Sequence, residues 1–113
     1  MIFKVDGYES IAGDEPFADA LTLFKSKSPK LHDRVLLWLD YIKDDQYHHM
    51  PHVELLGRGL YMLRVRHGRH LACLFFIKSN DRKVLLLNGF YKTSNKIPSN
   101  ELDRARNLQA EIN

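Results

Sequence analysis

Three arginines and one lysine have the spacing that most directly predicts chemistry in this chain: Arg64, Arg66, Arg69 and Lys92. Residues 59–66 alternate between apolar and polar side chains, which is typical of a strand whose successive side chains point to opposite faces. Guanidinium and ammonium groups bind phosphate, Arg through a planar fork and Lys as a point charge. The four cations therefore predict an anion-binding surface.

Two further strands must bring these cations together, and the pattern predicts them over residues 70–78 and 83–92. His67 and Gly68 predict a two-residue hairpin loop, which would place Arg66 opposite Arg69. A four-residue loop at 79–82 would place Arg69 opposite Lys92. Because like charges on neighbouring strands destabilise a sheet, this cluster favours an anionic partner. The alternative is a solvated sheet end, whose cations keep an exposed edge soluble.

Helices are predicted before and after these strands. Asp14 can cap a first helix, and Ser28 followed by Pro29 predicts the start of a second. Pro98 or Ser99 opens a last helix. Apolar residues recur at helical spacing in all three, at Phe17, Ala20, Leu21 and Phe24, then Leu31, Val35, Trp38 and Ile42, then Leu102, Ala105, Leu108 and Ile112. With a short strand at residues 2–5, the prediction is an α+β fold: an N-terminal strand and a helical hairpin packed on a mainly antiparallel sheet, with a C-terminal helix.

Length and composition predict one soluble domain spanning residues 1–113. We expect a cytoplasmic protein, because no segment resembles a signal peptide or a membrane span. A single cysteine, Cys73, excludes an internal disulfide and fits a reducing compartment. Its apolar surroundings favour a buried residue over a nucleophile.

Charge is unevenly distributed along the chain. Residues 1–57 hold 6 Lys and Arg against 10 Asp and Glu, whereas residues 58–113 hold 11 Lys and Arg against 4 Asp and Glu. This basic second half favours a nucleic acid or an acidic partner.

Three histidines, His48, His49 and His52, lie in a segment at 44–53 that is predicted to be an irregular surface loop. They offer a metal-site alternative, a metal-dependent hydrolase. Pro51 interrupts helical spacing between them, and no nearby cysteine completes a zinc-ligand pattern. We therefore predict no metal site.

An ordered set of short motifs resembles the RelE/HigB superfamily of bacterial toxins, in particular its HigB-like, phage-derived branch. The set comprises Leu56-Gly57, then Gly59-Leu60-Tyr61 with Leu63-Arg64-Val65-Arg66, Gly68-Arg69, Val84-Leu85-Leu86-Leu87, Gly89-Phe90, Lys92, Lys96, Pro98, and Glu101 with Ala105. The similarity extends over nearly the whole chain.

The resemblance implies the RelE-like fold and the toxin of a type II toxin–antitoxin pair. It implies an endoribonuclease that cleaves mRNA on translating ribosomes without metal or cofactor, and that is neutralised by a cognate antitoxin, expected to be a helix-turn-helix protein. The sequence indicates neither the oligomeric state nor the bases that are cut.

The resemblance also implies the roles of individual residues. Charge on the reacting phosphate would be stabilised by Arg64, Arg66, Arg69 and Lys92. RNA would be bound by His67, His70, Lys96 and Arg104. The acid and base remain open among His67, His70, Tyr91 and Lys96, although strand alternation points His70 and Tyr91 away from the arginines.

The chain departs from the superfamily pattern at three places. Relatives commonly have a further arginine where this chain has Ala72 and Cys73, a polar or basic residue, often His, at Asn88, and a threonine at Ile97. The first departure motivates a second hypothesis, a non-catalytic RNA- or protein-binding module on the same fold.

Overall fold

The computed structural model describes residues 1–92 and 97–112. Within these residues the elements are β1 (Lys4–Gly7), α1 (Pro16–Lys27), α2 (Pro29–Tyr41), a short 3₁₀ helix (Asp45–His49), β2 (Val53–Leu55), β3 (Leu60–His67), β4 (His70–Lys78), β5 (Lys83–Lys92) and α3 (Ser99–Ile112). No helix in this part of the chain is long and apolar enough to span a membrane.

The strands form one mixed sheet in the order β1-β5-β4-β3-β2. β1 runs parallel to β5, and every other neighbouring pair is antiparallel. The predicted α+β architecture is therefore confirmed. The prediction of an irregular loop at 44–53 is wrong in part, because this segment contains the 3₁₀ helix and the start of β2. β2 has only three residues, too few for alternation to be recognised in the sequence.

Helices cover both faces of the sheet. The α1–α2 hairpin packs on the face that carries Leu63, Val65 and Leu74, and its predicted apolar stripes are buried there. α3 packs on the other face, against Met62 and Phe75. Both faces of the antiparallel strands are therefore largely covered. For this reason the strand sequences are nearly continuous runs of apolar residues.

The predicted N-cap residue is found in α2 but not in α1. The Ser28 side chain accepts a hydrogen bond from the Leu31 amide at 3.2 Å, as expected of an N-cap. Asp14 does not cap α1. The capping position belongs to Glu15, which makes no side-chain cap bond, and the Asp14 amide instead donates to Ser10 Oγ at 3.0 Å.

The β3–β4 hairpin turns one residue later than predicted. His67 pairs with His70, so the loop consists of Gly68 and Arg69. Gly68 has φ +61° at the first central position, where II′ hairpin turns favour glycine. The predicted pairing of Arg66 with Arg69 is therefore wrong, and Arg66 instead faces Leu71.

A bulge also shifts the β4–β5 register. Cys73 pairs with Phe90 rather than with Asn88 as predicted, and the pairing changes by one residue between Leu74 and Phe76. Residues 79–82 lie between β4 and β5 as predicted, but Lys78 pairs with Val84 rather than with Lys83, so the pairing already differs by one residue beside this loop. Bulges insert one extra residue in a strand, which a regular alternation pattern does not reveal.

Hydrogen bonds from three side chains hold α3 against the sheet. Asn88 Nδ2 donates to the backbone oxygen and to Oε2 of Glu101, both at 3.1 Å. Arg106 donates to the carbonyls of Leu56 and Gly57 at 2.9 and 3.0 Å, and Gln109 donates to that of Arg58 at 2.6 Å. These contacts place α3 near the start of β3 and the middle of β5, away from the end of β3 at its hairpin turn.

Candidate functional site

Strand pairing brings three of the four predicted cations to one face of the sheet. Arg64 lies opposite Cys73, which faces Phe90 on the next strand. Arg66 lies opposite Leu71, which faces Lys92. We call the surface formed by Arg64, Arg66 and Lys92 the cationic face. The sequence-based prediction that these three residues share a face is confirmed, since both errors in register left the alternation unchanged at this end of the sheet.

Arg69 does not join this face as predicted. It is the second residue of the hairpin loop and is exposed at the tip. The shift of the turn to Gly68 removes Arg69 from the ladder, so it faces neither Arg66 nor Lys92.

Arg64 is paired with a carboxylate. Its Nη1 atom lies 3.2 Å from Glu54 Oε1, and the two side chains are 34% and 42% exposed. Glu54 lies on β2 opposite Met62, which places its side chain on the same face as Arg64. This partner was missed because β2 itself was not predicted.

Cys73 lies on the same face of the sheet as the three cations, directly opposite Arg64. Burial raises the pKa of its thiol to about 11, although the positive charges of Arg64, Lys92 and Arg66 each act to lower it. A thiol with so high a pKa is almost entirely protonated near neutrality and is a poor nucleophile. The interpretation of Cys73 as a buried apolar residue is therefore supported.

His70 and Tyr91 form a pair on the opposite face. His70 Nδ1 and Tyr91 Oη are hydrogen-bonded at 2.6 Å, and Tyr91 packs against the core beneath the α1–α2 hairpin. Lys27 Nζ lies 5.8 Å from the centre of the Tyr91 ring. The prediction that both residues point away from the arginines is confirmed, and His67 lies directly opposite His70 at the hairpin end.

Two further predicted RNA-binding residues lie elsewhere. Arg104 is exposed on α3, the helix that packs on the same side of the sheet as the cationic face. Lys96 lies outside the described residues.

A cleft that the sequence did not indicate opens along the β3 edge, beside the residues that precede β2. Its volume is about 390 Å³, and it is lined by Arg34, Trp38, Pro51, His52, Arg64, Val65, Arg66 and Leu71. The rings of Trp38 and His52 are in contact, with centroids 4.5 Å apart. Arg34 precedes Trp38 by four residues on α2, a spacing that places the two side chains on one helix face. This spacing is the sequence feature from which the cleft could have been predicted.

The three candidate metal-ligating histidines lie in different environments. His48 is buried, its Nε2 lies 2.7 Å from the Ile42 carbonyl, and burial lowers its pKa. His52 packs on Trp38, whereas His49 is exposed. Across residues 1–92 and 97–112 no three His, Cys, Asp or Glu side chains are grouped so that they could hold a metal ion.

The α+β fold and the cationic face together define a small protein whose sheet carries Arg and Lys side chains on one face. The family model described as phage-derived protein Gp49-like (DUF891) matches residues 23–110. The chain belongs to this family, which is in general one of the RelE/HigB-like toxin families. No curated protein matches the chain. Membership in the Gp49-like family is compatible with the function of a toxin in a toxin–antitoxin pair.

Proposed function

We propose that this protein is the toxin of a type II toxin–antitoxin pair and that it cleaves mRNA on translating ribosomes. The observation that carries the proposal is the convergence of Arg64, Arg66 and Lys92 on one face of the sheet in a member of the Gp49-like family. Glu54 pairs with Arg64 on this face, and a phosphate backbone supplies further negative charge that these cations can bind.

The proposed reaction is an internal transfer at phosphorus. The ribose 2′-oxygen forms a bond to the adjacent phosphorus, and the bond from phosphorus to the 5′-oxygen breaks. The 2′-hydroxyl proton leaves to a base, and a proton is delivered to the departing 5′-oxygen. The products are a 2′,3′-cyclic phosphate and a 5′-hydroxyl, and neither a metal nor a cofactor takes part.

Arg66 and Lys92 are the proposed charge-stabilising groups. The transition state places additional negative charge on the equatorial phosphate oxygens, which preorganised cations oppose. Charge-assisted hydrogen bonds contribute about 1.5–3 kcal/mol each. Two bonds of this kind, formed mainly in the transition state, would accelerate cleavage by about 10²–10⁴-fold.

Arg64 would exchange its carboxylate partner for the substrate phosphate. Its ion pair with Glu54 is partly exposed, and such pairs contribute only about 0–1 kcal/mol. Releasing Arg64 from Glu54 is therefore a small cost compared with the gain from a phosphate contact.

The other residues predicted to contact RNA would hold its flanking parts rather than the reacting phosphate. Arg69 and His67 lie at the hairpin tip and the adjoining strand end, and Arg104 is exposed on α3. His70 and Tyr91 lie on the opposite face and are therefore poor candidates for the acid and the base of the reaction. The proposed antitoxin, a helix-turn-helix protein, would neutralise the toxin by placing an acidic segment on the cationic face.

The test is mRNA cleavage during cell-free translation, mapped by primer extension. We expect Arg66→Ala and Lys92→Ala to lower the cleavage rate by about 10- to 100-fold each, which corresponds to about 1.4–2.7 kcal/mol. Lys83→Ala is the matched control, because Lys83 lies at the far end of the same strand, where it pairs with Asp81. An intact transcript in the presence of folded wild-type protein, or an equal loss in the control, would reject the catalytic proposal.

The Arg64–Glu54 ion pair favours a second candidate function, a module that binds RNA or protein without cleaving it. Such a module should lose affinity modestly when Arg66 or Lys92 is removed. The slope of log K against log salt should fall by roughly 0.7 for each lost contact to single-stranded phosphate. An enzyme should lose rate much more than affinity.

A further inference from the structure

The cleft at the β3 edge combines flat rings with positive charge. It lies beside the start of β2, where the Arg64 amide donates to the carbonyl of His52, the residue before this strand, at 2.8 Å. Arg64 and Arg66 line both this cleft and the cationic face, so the two surfaces are continuous. No carboxylate is among the described residues that line the cleft.

The Trp38 ring is held in place by other aromatic side chains. Tyr41 and Tyr47 meet it edge-on, at interplanar angles of 84° and 88°. The His52 ring also contacts it, with ring centroids 4.5 Å apart and an interplanar angle of 39°. A ring fixed in this way loses little conformational freedom when a ligand stacks on it, so less of the stacking energy is offset by ordering.

Arg34 supplies a cation beside the rings. Its side chain is exposed, and among the described residues Nη1 makes only a long contact, 3.4 Å, with the Arg66 carbonyl. It therefore retains donors that can reach a phosphate oxygen. Because Arg34 lies one helical turn before Trp38, a group bound to the guanidinium would be adjacent to one stacked on the indole.

We propose that this cleft holds one unpaired nucleotide of an RNA strand, with its base against Trp38 and His52 and its phosphate on Arg34. The inference rests on the proposed function, since it places this nucleotide beside the phosphate that is cleaved on the cationic face. Single-stranded RNA is bound by the same combination, bases stacked on aromatic rings and phosphates held by Arg. A volume of about 390 Å³ lies in the range of small-molecule sites, and the flat ring surface favours a base over the side chains of an acidic peptide.

The chain contains a single tryptophan, so its fluorescence reports on this cleft directly. The probe is a short single-stranded RNA with 2′-O-methyl groups, which has no 2′-hydroxyl and is not cleaved by the proposed reaction. We expect saturable quenching of Trp38 by this RNA. An oligomer with the same number of phosphates but without bases should not quench, and it should bind about 5- to 100-fold more weakly, as expected when a stacked base is lost.

Two exposed residues of the cleft have matched controls nearby in sequence. We expect His52→Ala and Arg34→Ala each to weaken binding of the RNA by at least about fivefold. His49→Ala and Lys30→Ala remove similar exposed side chains outside the cleft and should change binding by less than about twofold. Thermal unfolding of each variant distinguishes lost binding from lost structure.

The outcomes separate this subsite from the nuclease proposal. Quenching that depends on the bases, together with an uncleaved transcript, would support the subsite and reject the nuclease. Cleavage that is unchanged in folded His52→Ala and Arg34→Ala would support the nuclease and overturn the subsite. Equal quenching by the oligomer without bases, or tighter binding by polyglutamate than by the RNA, would also overturn it.

Discussion

Glu54 and Arg64 form an ion pair at the edge of the sheet, with Glu54 Oε1 3.2 Å from Arg64 Nη1. Both groups lie on neighbouring strands and on the face that carries Arg66 and Lys92. The carboxylate therefore neutralises part of the charge of the cationic face. In the proposed function it must yield Arg64 to the RNA, so Glu54 limits affinity for RNA.

The first prediction concerns this pair. Glu54→Gln should strengthen RNA binding by about fivefold, since one charge near the phosphates is worth roughly 1 kcal/mol at the protein surface. The free energy of unfolding should change by less than about 1 kcal/mol, because the pair is partly exposed. Fluorescence titration and denaturant unfolding measure the two effects.

Asp40→Asn is the matched control for Glu54→Gln. It removes the same charge and another exposed ion pair, in which Lys43 Nζ lies 2.8 Å from Asp40 Oδ1. The lining of the β3-edge cleft does not include Asp40 or Lys43. If both variants strengthened RNA binding equally, net charge rather than the position of Glu54 would be responsible.

The second prediction concerns the attachment of α3. Arg106→Ala removes hydrogen bonds from a charged group to the carbonyls of Leu56 and Gly57. We expect the free energy of unfolding to fall by about 1.5–3 kcal/mol, measured by urea denaturation. Arg104→Ala, on the exposed side of the same helix, should change it by no more than about 0.5 kcal/mol. Similar losses in both variants would mean that helix propensity, not the loop contacts, determines the effect.

The third prediction is a pH dependence caused by Cys73. Its pKa is raised from 9.0 to about 11 in the folded protein, so the unfolded chain releases the thiol proton first as the pH rises. The unfolded state then binds fewer protons, and the folded state loses stability from about pH 9 upward, with no further loss above about pH 11. The loss due to Cys73 should be about 1.4 kcal/mol at pH 10.

Comparison with Cys73→Ala isolates this contribution, because the other titrating groups are common to both proteins. Unfolding free energies are measured at pH 8 and pH 10. The wild-type protein should lose about 1.4 kcal/mol more than the variant over this interval. Parallel pH profiles would show that the folded thiol titrates normally.

The fourth prediction concerns the close packing of α1 on the sheet at Gly89. A Cβ atom at this position would lie 2.7 Å from Leu74 Cδ2, 2.8 Å from the Cys73 carbonyl oxygen and 3.2 Å from Ala20 Cβ. Because the carbonyl is backbone and cannot move aside alone, Gly89→Ala should destabilise the fold by about 1–3 kcal/mol. Calorimetry should show the lower midpoint of unfolding.

Gly7→Ala provides the contrast. In β1 the nearest atom to an added Cβ is Phe17 Cδ2 at 3.5 Å, an ordinary van der Waals contact. This substitution should be neutral or stabilise by up to about 1 kcal/mol, since alanine reduces the entropy of the unfolded chain. A loss at Gly7 as large as that at Gly89 would contradict the steric explanation.

Local patterns in the sequence determined much of the fold. The apolar stripes of α1, α2 and α3 follow from a period of 3.6 residues, and Ser28 with Pro29 marks the start of α2 through its own hydrogen bond. Alternation along β3 and β5 placed Arg64, Arg66 and Lys92 on one face, since moving the β3–β4 turn by one residue shifts the strand pairing by two and leaves a period of two unchanged.

Only the tertiary structure decided which residues meet across long distances in the chain. The position of the turn depended on the φ angle of Gly68, and it removed Arg69 from the cationic face. The pairing of Arg64 with Glu54 required β2, and the contact between Trp38 and His52 required α2 to pack beside the loop before β2. Sequence periodicity records which side of its own element a residue occupies. Contacts between elements arise from packing of the whole chain, so no local pattern contains them.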